Sequence, residues 1–330
     1  MKTKFNILGL LALTWSAATF AQQDKHLSMW NENASCINPA AVASMDEDIR
    51  FLTNFRMQWL PLNGNALRTN AFSFDAKLMK DKKTGSHLGM GINFTNDQTG
   101  DIRYTSNVVS VPVAYTIGLD KNSLFSIGIA PGFVSRSIGT GNQTWDNQWN
   151  GSSFDQTIGS GEVINASASS FDLGAGLHYK YQTNGQSHFK IGFGVNHLTS
   201  PSLSLISTED KLYKNINFYA NGTYFQPKRK LGISPSLLVS LMGPNYNILV
   251  GTTINHELFE SSRRTDYIQR SFLSYGLFFR WKDAMVATLA YKIYGFKFGV
   301  SYDINVSSLN SDTRSQGGFE LFLRYSLMVD

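Results

Sequence analysis

The chain has 330 residues, 42% of them hydrophobic, with 29 Lys and Arg against 24 Asp and Glu. It holds no internal run of about eighteen apolar residues, which excludes a helical membrane protein. A formal charge of +5 with no dense basic block gives nucleic-acid binding no support. The single cysteine, Cys36, cannot close an internal disulfide, and no CxxC is present for metal or redox work.

The first residues read as a secretory signal. Lys2 and Lys4 form its positive region, Phe5–Phe20 its apolar stretch, and Thr19-Phe20-Ala21 a cleavage site before Gln22, so 1–21 is expected to be removed on export. Residues 22–48 come next, a leader without period-two alternation. Pro39 pushes Asn38 toward extended geometry and removes a ladder donor. The leader is therefore expected to be irregular and periplasmic, folded against or into the periplasmic mouth of the wall formed by 49–330.

From 49 to 330 the pattern changes to alternation. In Phe296–Val306 a large apolar side chain takes every even position, and Lys, Gly, Ser, Asp and Asn take the odd ones. Successive strand side chains point to opposite faces, so one face is greasy and the other polar or small. About ten residues of this kind cross a bilayer at the tilt of an outer-membrane strand. Fourteen such segments are expected: Ile49–Leu60, Leu67–Met79, His87–Asn96, Arg103–Gly118, Ser123–Ser137, Phe171–Tyr181 and His188–Asn196. Then come Tyr213–Phe225, Leu231–Met242, Tyr246–Asn255, Ser271–Arg280, Ala284–Lys292, Gly295–Val306 and Gly318–Met328. The fold class is all-β, a transmembrane antiparallel β-barrel of about 14 strands preceded by an irregular leader. Pro112 is expected to force a bulge, and 138–167 forms the longest polar excursion. Pairing the strands in order puts both termini in the periplasm. One connection on that side, His256–Gln269, is long and charged (Glu257, Glu260, Arg263, Arg264 and Asp266), which makes it a candidate loop for a periplasmic partner.

No catalytic constellation emerges, so the chain is expected not to be an enzyme, with no cofactor and no metal. The six histidines have no i+4 partner and no HExxH arrangement. Gly89-Met90-Gly91, Gly174-Ala175-Gly176 and Gly192-Phe193-Gly194 lie inside alternating strands and open no helix, so they read as small inward residues that relieve crowding and not as dinucleotide loops. Asp172, Lys180, Lys190, Lys292, Lys297, Asp303, Glu320 and Arg324 fall on the inward face. They either neutralise one another in a hydrated lumen or form a solute-selective constriction. Trp59 and Trp281, at strand ends, read as interface anchors.

Several short motifs occur in a fixed order. Gln22-Gln23-Asp24 leads to Ile37-Asn38-Pro39-Ala40, then to Phe55-Arg56-Met57-Gln58-Trp59, Gly89–Asp97, Gly299–Asp303 and Gly317–Tyr325. This order resembles the PorP/SprF family of type IX secretion system membrane proteins, with Lys25 where that family usually has proline and Phe319 where it commonly has histidine. The resemblance covers essentially the whole mature chain. It singles out Ile37, Asn38, Pro39 and Ala40 as a leader motif and Arg56, Gln58 and Trp59 as a first-strand motif. It implies a non-enzymatic outer-membrane component, surrounded by lipid, that works with the periplasmic ring and an exported adhesin-like protein, and that serves gliding in some relatives. The competing expectation is a passive porin or hydrophobic-solute channel.

Overall fold

A computed structural model describes residues 24–59, 67–100, 103–139, 144–155, 157–159, 165–184, 187–205, 210–259, 270–307, 313 and 315–329. The expected signal segment lies outside them. The strands are β1 (Ile49–Gln58), β2 (Leu67–Leu78), β3 (His87–Thr99), β4 (Tyr104–Ser110), β5 (Val113–Gly118), β6 (Ser123–Ser137), β7 (Ser167–Asn184) and β8 (Ser187–Asn196). They continue with β9 (Asn215–Gln226), β10 (Leu231–Met242), β11 (Asn245–Phe259), β12 (Ser271–Arg280), β13 (Ala284–Ile293), β14 (Phe296–Asn305) and β15 (Gln316–Leu327).

Each strand pairs antiparallel with its neighbours, and β1 closes on β15 from Ile49↔Leu327 to Gln58↔Gly318. Closure removes the two exposed edges that an open sheet would leave. The β4 and β5 segments are two halves of one wall strand, since both pair with β3 and with β6. The break falls at Val111-Pro112, where proline cannot donate. There the Pro112 carbonyl accepts from the Gly91 N–H at 2.9 Å, and the Val111 N–H donates to Pro131 O at 2.9 Å. The closed wall therefore has 14 strands, and the bulge expected at Pro112 is a full interruption.

The faces are arranged as in a membrane barrel. In β14 the outward Phe298, Val300, Tyr302 and Ile304 are exposed, whereas Ser301, Asp303 and Asn305 are buried. The same inversion recurs at Ile127, Ile129, Leu277 and Leu289, all outward and exposed. Apolar side chains on the outside and polar ones inside are stable only where lipid, not water, surrounds the wall.

The short connections at 119–122, 227–230 and 294–295 share one rim with the start of β1 and the end of β15; we call it the turn-side rim. The long segments at 138–166 and 197–214 share the opposite, loop-side rim. Boundaries differ from expectation mainly at β7 and β11. The β11 strand runs on to Phe259, so Glu257 belongs to the wall and not to a loop; its buried carboxylate accepts from Arg270 Nε. Glu260, Arg263, Arg264 and Asp266 lie outside the described residues.

If the apolar face meets lipid, Val300→Arg should lower stability in bilayers by about 2–4 kcal/mol. Thr253→Gln, on the lumen face of β11, should change it by less than about 1 kcal/mol. Urea titration in liposomes measures both, and the reverse order would contradict the assignment of faces.

Candidate functional site

Eight strands nearly fill a barrel with their own side chains; fourteen leave space over. Here the leader occupies it. Asp24 stands at the loop-side rim, where Asn215 Nδ2 donates to its Oδ2 at 2.8 Å. Asp48 stands at the turn-side rim, its N–H donating to Leu327 O at 2.8 Å. The segment between them runs through the lumen from one rim to the other. Three short 3₁₀ turns, Trp30–Glu32, Ala34–Cys36 and Pro39–Ala41, satisfy part of its backbone internally. The leader thus goes further than the expected seat against or into the periplasmic mouth, crossing the lumen as an internal plug.

Three sets of contacts hold the plug. Near the loop-side rim the Ser28 hydroxyl donates to Asp303 at 2.9 Å, and its N–H donates to Glu320 Oε2 at 2.7 Å. Arg56 binds Asp303 at 2.7 Å and Ser28 Oγ at 2.7 Å; Arg280 binds the same two at 2.8 and 2.6 Å. All four charged side chains are buried, with Glu320 fully shielded. Such charges stay ionised inside a protein only when paired and hydrogen-bonded. Close by, His197 lies between Asp172, at 2.7 Å, and Asp24. Burial opposes its charge, but the hydrogen bonds and the two carboxylates raise its pKa to about 9.

At mid-depth, Asn38 caps its own turn by accepting from the Ala40 N–H at 3.0 Å and donates from Nδ2 to Leu177 O at 2.9 Å. The plug backbone here presses on wall glycines. A Cβ added at Gly194 would stand 2.5 Å from Ile37 O, and one at Gly128 would stand 2.8 Å from the Ala40 Cα. Trp30 packs on Tyr219 with ring centroids 5.3 Å apart, within a cluster that includes Leu238, Leu249, Phe278 and Val286. His178 links Tyr219 OH, at 2.9 Å, to Ser44 Oγ, at 2.7 Å. Cys36 packs near Ser73.

Toward the turn-side rim the plug carboxylates meet wall cations. Glu32 binds Lys297 and, at 2.8 Å, Arg324; Asp46 binds Lys180; Glu47 binds Lys292 at 3.3 Å. Each of these carboxylates is thus paired with at least one wall cation as it leaves water. The wall supplies Asp75 as well, bound by Arg50 at 2.6 Å and by the Ala43 N–H at 2.8 Å.

The plug divides the lumen into two chambers. The loop-side one, of about 110 Å³, is lined by Asn33, Asn93, Asn215 and Asn247 over an apolar floor of Trp30 and Leu238. The turn-side one, of about 280 Å³, is lined by basic side chains and hydroxyls. Among the described residues no group of three His, Cys, Asp or Glu is placed to hold a metal ion.

The family model described as type IX secretion system membrane protein PorP/SprF matches residues 19–325. The chain belongs to the PorP/SprF family. No curated protein matches the sequence. In fold this PorP/SprF chain is similar to the TodX monoaromatic hydrocarbon channel in its deltaS2S3 mutant form, at a TM-score of 0.51. Identity there is 10%, over 90% of this chain and 94% of that one. The Ralstonia pickettii toluene transporter TbuX gives a TM-score of 0.49 and 11% identity, over 89% of this chain and 93% of that one. At such identity the likeness to the TodX channel shows an outer-membrane barrel fold and nothing of what is bound or passed.

Within this PorP/SprF barrel the motif residues read from sequence fall in distinct places. Asn38, Pro39 and Ala40 are buried in the plug, with Ile37 packed beside the Trp30 cluster. Arg56 belongs to the loop-side ion cluster. Gln58 ends β1, and Trp59 comes directly after it with φ 56° and its N–H on Gly317 O at 2.8 Å. The inward ionic set is confirmed in orientation, but it neutralises the plug more than itself. Sequence reading missed Ser28, Glu32, Tyr219, His178 and Arg280. For Tyr219, His178 and Arg280 the one available signal is an inward position on a strand; Ser28 and Glu32 lie in the leader, where no alternation marks a face.

Asp303→Asn leaves Arg56 and Arg280 facing each other around Ser28 with one carboxylate fewer. It should destabilise the folded barrel by about 3–5 kcal/mol. Denaturant titration in detergent measures this, and a change below about 1 kcal/mol would show that the cluster does not hold the plug.

Proposed function

We propose that the protein is a plugged, non-enzymatic accessory barrel of the outer membrane that serves type IX secretion. It would assist export or surface attachment of adhesin-type substrates and contact the periplasmic ring from its turn-side rim. The observation that carries this reading is the family match, which spans the wall and the plug together. A lumen crossed by an ion-paired plug supports it further, because a passive porin needs an open aqueous path. A wall built to hold a fixed internal segment leaves its rims as the surfaces for partners. The charged segment with Glu260, Arg263, Arg264 and Asp266, between β11 and β12, is the turn-side connection that we assign to the ring, mixed charge giving orientation more than affinity. The second reading is a channel for small hydrophobic solutes, for which the shared barrel fold alone gives no warrant.

Deleting the gene in its own bacterium separates the two. Surface display of at least one large adhesin-type cargo, measured by whole-cell immunoblot, should fall by about tenfold or more, with uptake of small aromatic solutes unchanged. Undiminished display of every cargo together with lost solute uptake would assign the channel role instead.

A further inference from the structure

The turn-side chamber has a charge arrangement that the plug does not balance. Lys180 and Lys190 are direct cross-strand partners on β7 and β8. Lys292 stands opposite Lys297 on β13 and β14, and Lys297 stands opposite Arg324 on β15. Like charges directly opposite one another destabilise a sheet. Here three such pairs face one cavity. With Arg50, six basic side chains line it, and four carboxylates meet them: Glu32, Asp46, Glu47 and Asp75. The Lys and Arg side chains outnumber these carboxylates by two.

The remainder is localised. Asp46 is engaged by Lys180, and Glu32 serves both Lys297 and Arg324. Lys190 has the Ser44 carbonyl, at 2.9 Å, and no ion pair among the described residues. An ammonium carries three protons to donate. On the same stretch of wall, one strand beyond the Asn221 that stands opposite Lys190, lies a second, independent feature: Ser236 on β10 is 8% exposed, and its hydroxyl has no hydrogen-bond partner among the described residues. Buried hydroxyls are normally satisfied. Ser236 is flanked on this wall by Asn221, Ser234 and Thr253, all lining the same space. Cations adjoining a row of donor hydroxyls and amides, and a volume of about 280 Å³, together suit a compact anion. Asp46, half exposed, stands at the opening toward the turn-side rim.

We propose that the turn-side chamber is a binding site for a small soluble polyanion bearing phosphate or carboxylate groups, held between Lys190 and Ser236. This goes beyond the secretion role and does not depend on it. Because Lys190 pairs with no carboxylate among the described residues, replacing it strands no buried acid, and the barrel should still form.

The test is calorimetric titration of the full-length protein in detergent at constant ionic strength, with inorganic pyrophosphate in one arm and citrate in the other. Saturable binding of at least one probe is expected, and the stronger arm identifies the anionic group. Lys190→Gln should weaken it about tenfold and Ser236→Ala roughly threefold, the effects of losing a charged and a neutral hydrogen bond. Arg68→Gln, on the loop side, should leave it unchanged. Should Lys190→Gln fail to fold, Ser236→Ala decides. Absence of saturation with both probes, or affinity unmoved by both chamber variants, would overturn the proposal.

Discussion

Ser28 is bound by two guanidinium groups and two carboxylates that come from four different strands, β1, β12, β14 and β15. None of these groups could be buried alone, because an unpaired charge inside a protein is costly by several kcal/mol. The strands that carry them include the seam where the last meets the first. Closing the barrel and seating the plug are thereby coupled: Arg56 reaches Asp303 and Glu320 only when β1 lies beside β15, and Ser28 completes the set only when the leader is inside. The rest of the leader repeats this logic at greater depth, with Asp75, Lys297, Lys180 and Lys292 each meeting a plug group.

The inward face of the wall is thus shaped to one segment of its own chain. Gly128 and Gly194 open room for the Ile37–Ala40 backbone, and Gly176 for the Asn38 side chain. Tyr219, fully buried, meets Trp30 on one side and Asn38 and His178 on the others. The wall offers shape where the plug is apolar and charge where it is acidic. Two chambers of different character remain, one lined by amides and one by cations. The chemistry available to any visitor therefore differs between the two rims.

The barrel was legible in the sequence because its cause is local. Alternation at every second residue is a property of neighbours, so Phe296–Val306 announces its two faces without any partner, and the other wall segments do the same. The break at Pro112 was legible for the same reason, since a proline loses its donor wherever it stands. The plug was not. Ser28 and Glu320 are 292 residues apart, and nothing in either neighbourhood indicates that they meet. Asn38, Pro39 and Ala40 were visible only as a motif resembling a family, while the glycines that receive them read as generic relief of crowding. The paired lysines of β7 and β8 could be placed on the inward face from periodicity, but their confrontation needs the register between strands, which alternation alone does not define.

The central claim is that the leader closes the lumen. Its most direct test is single-channel conductance in planar bilayers, comparing the full-length protein with a variant lacking Asp24–Ser44. The full chain should conduct little, and the deleted form should show a large, stable conductance of an open 14-strand barrel. Equal conductance from both forms, with both barrels correctly inserted, would contradict the plug and the interactions assigned to it.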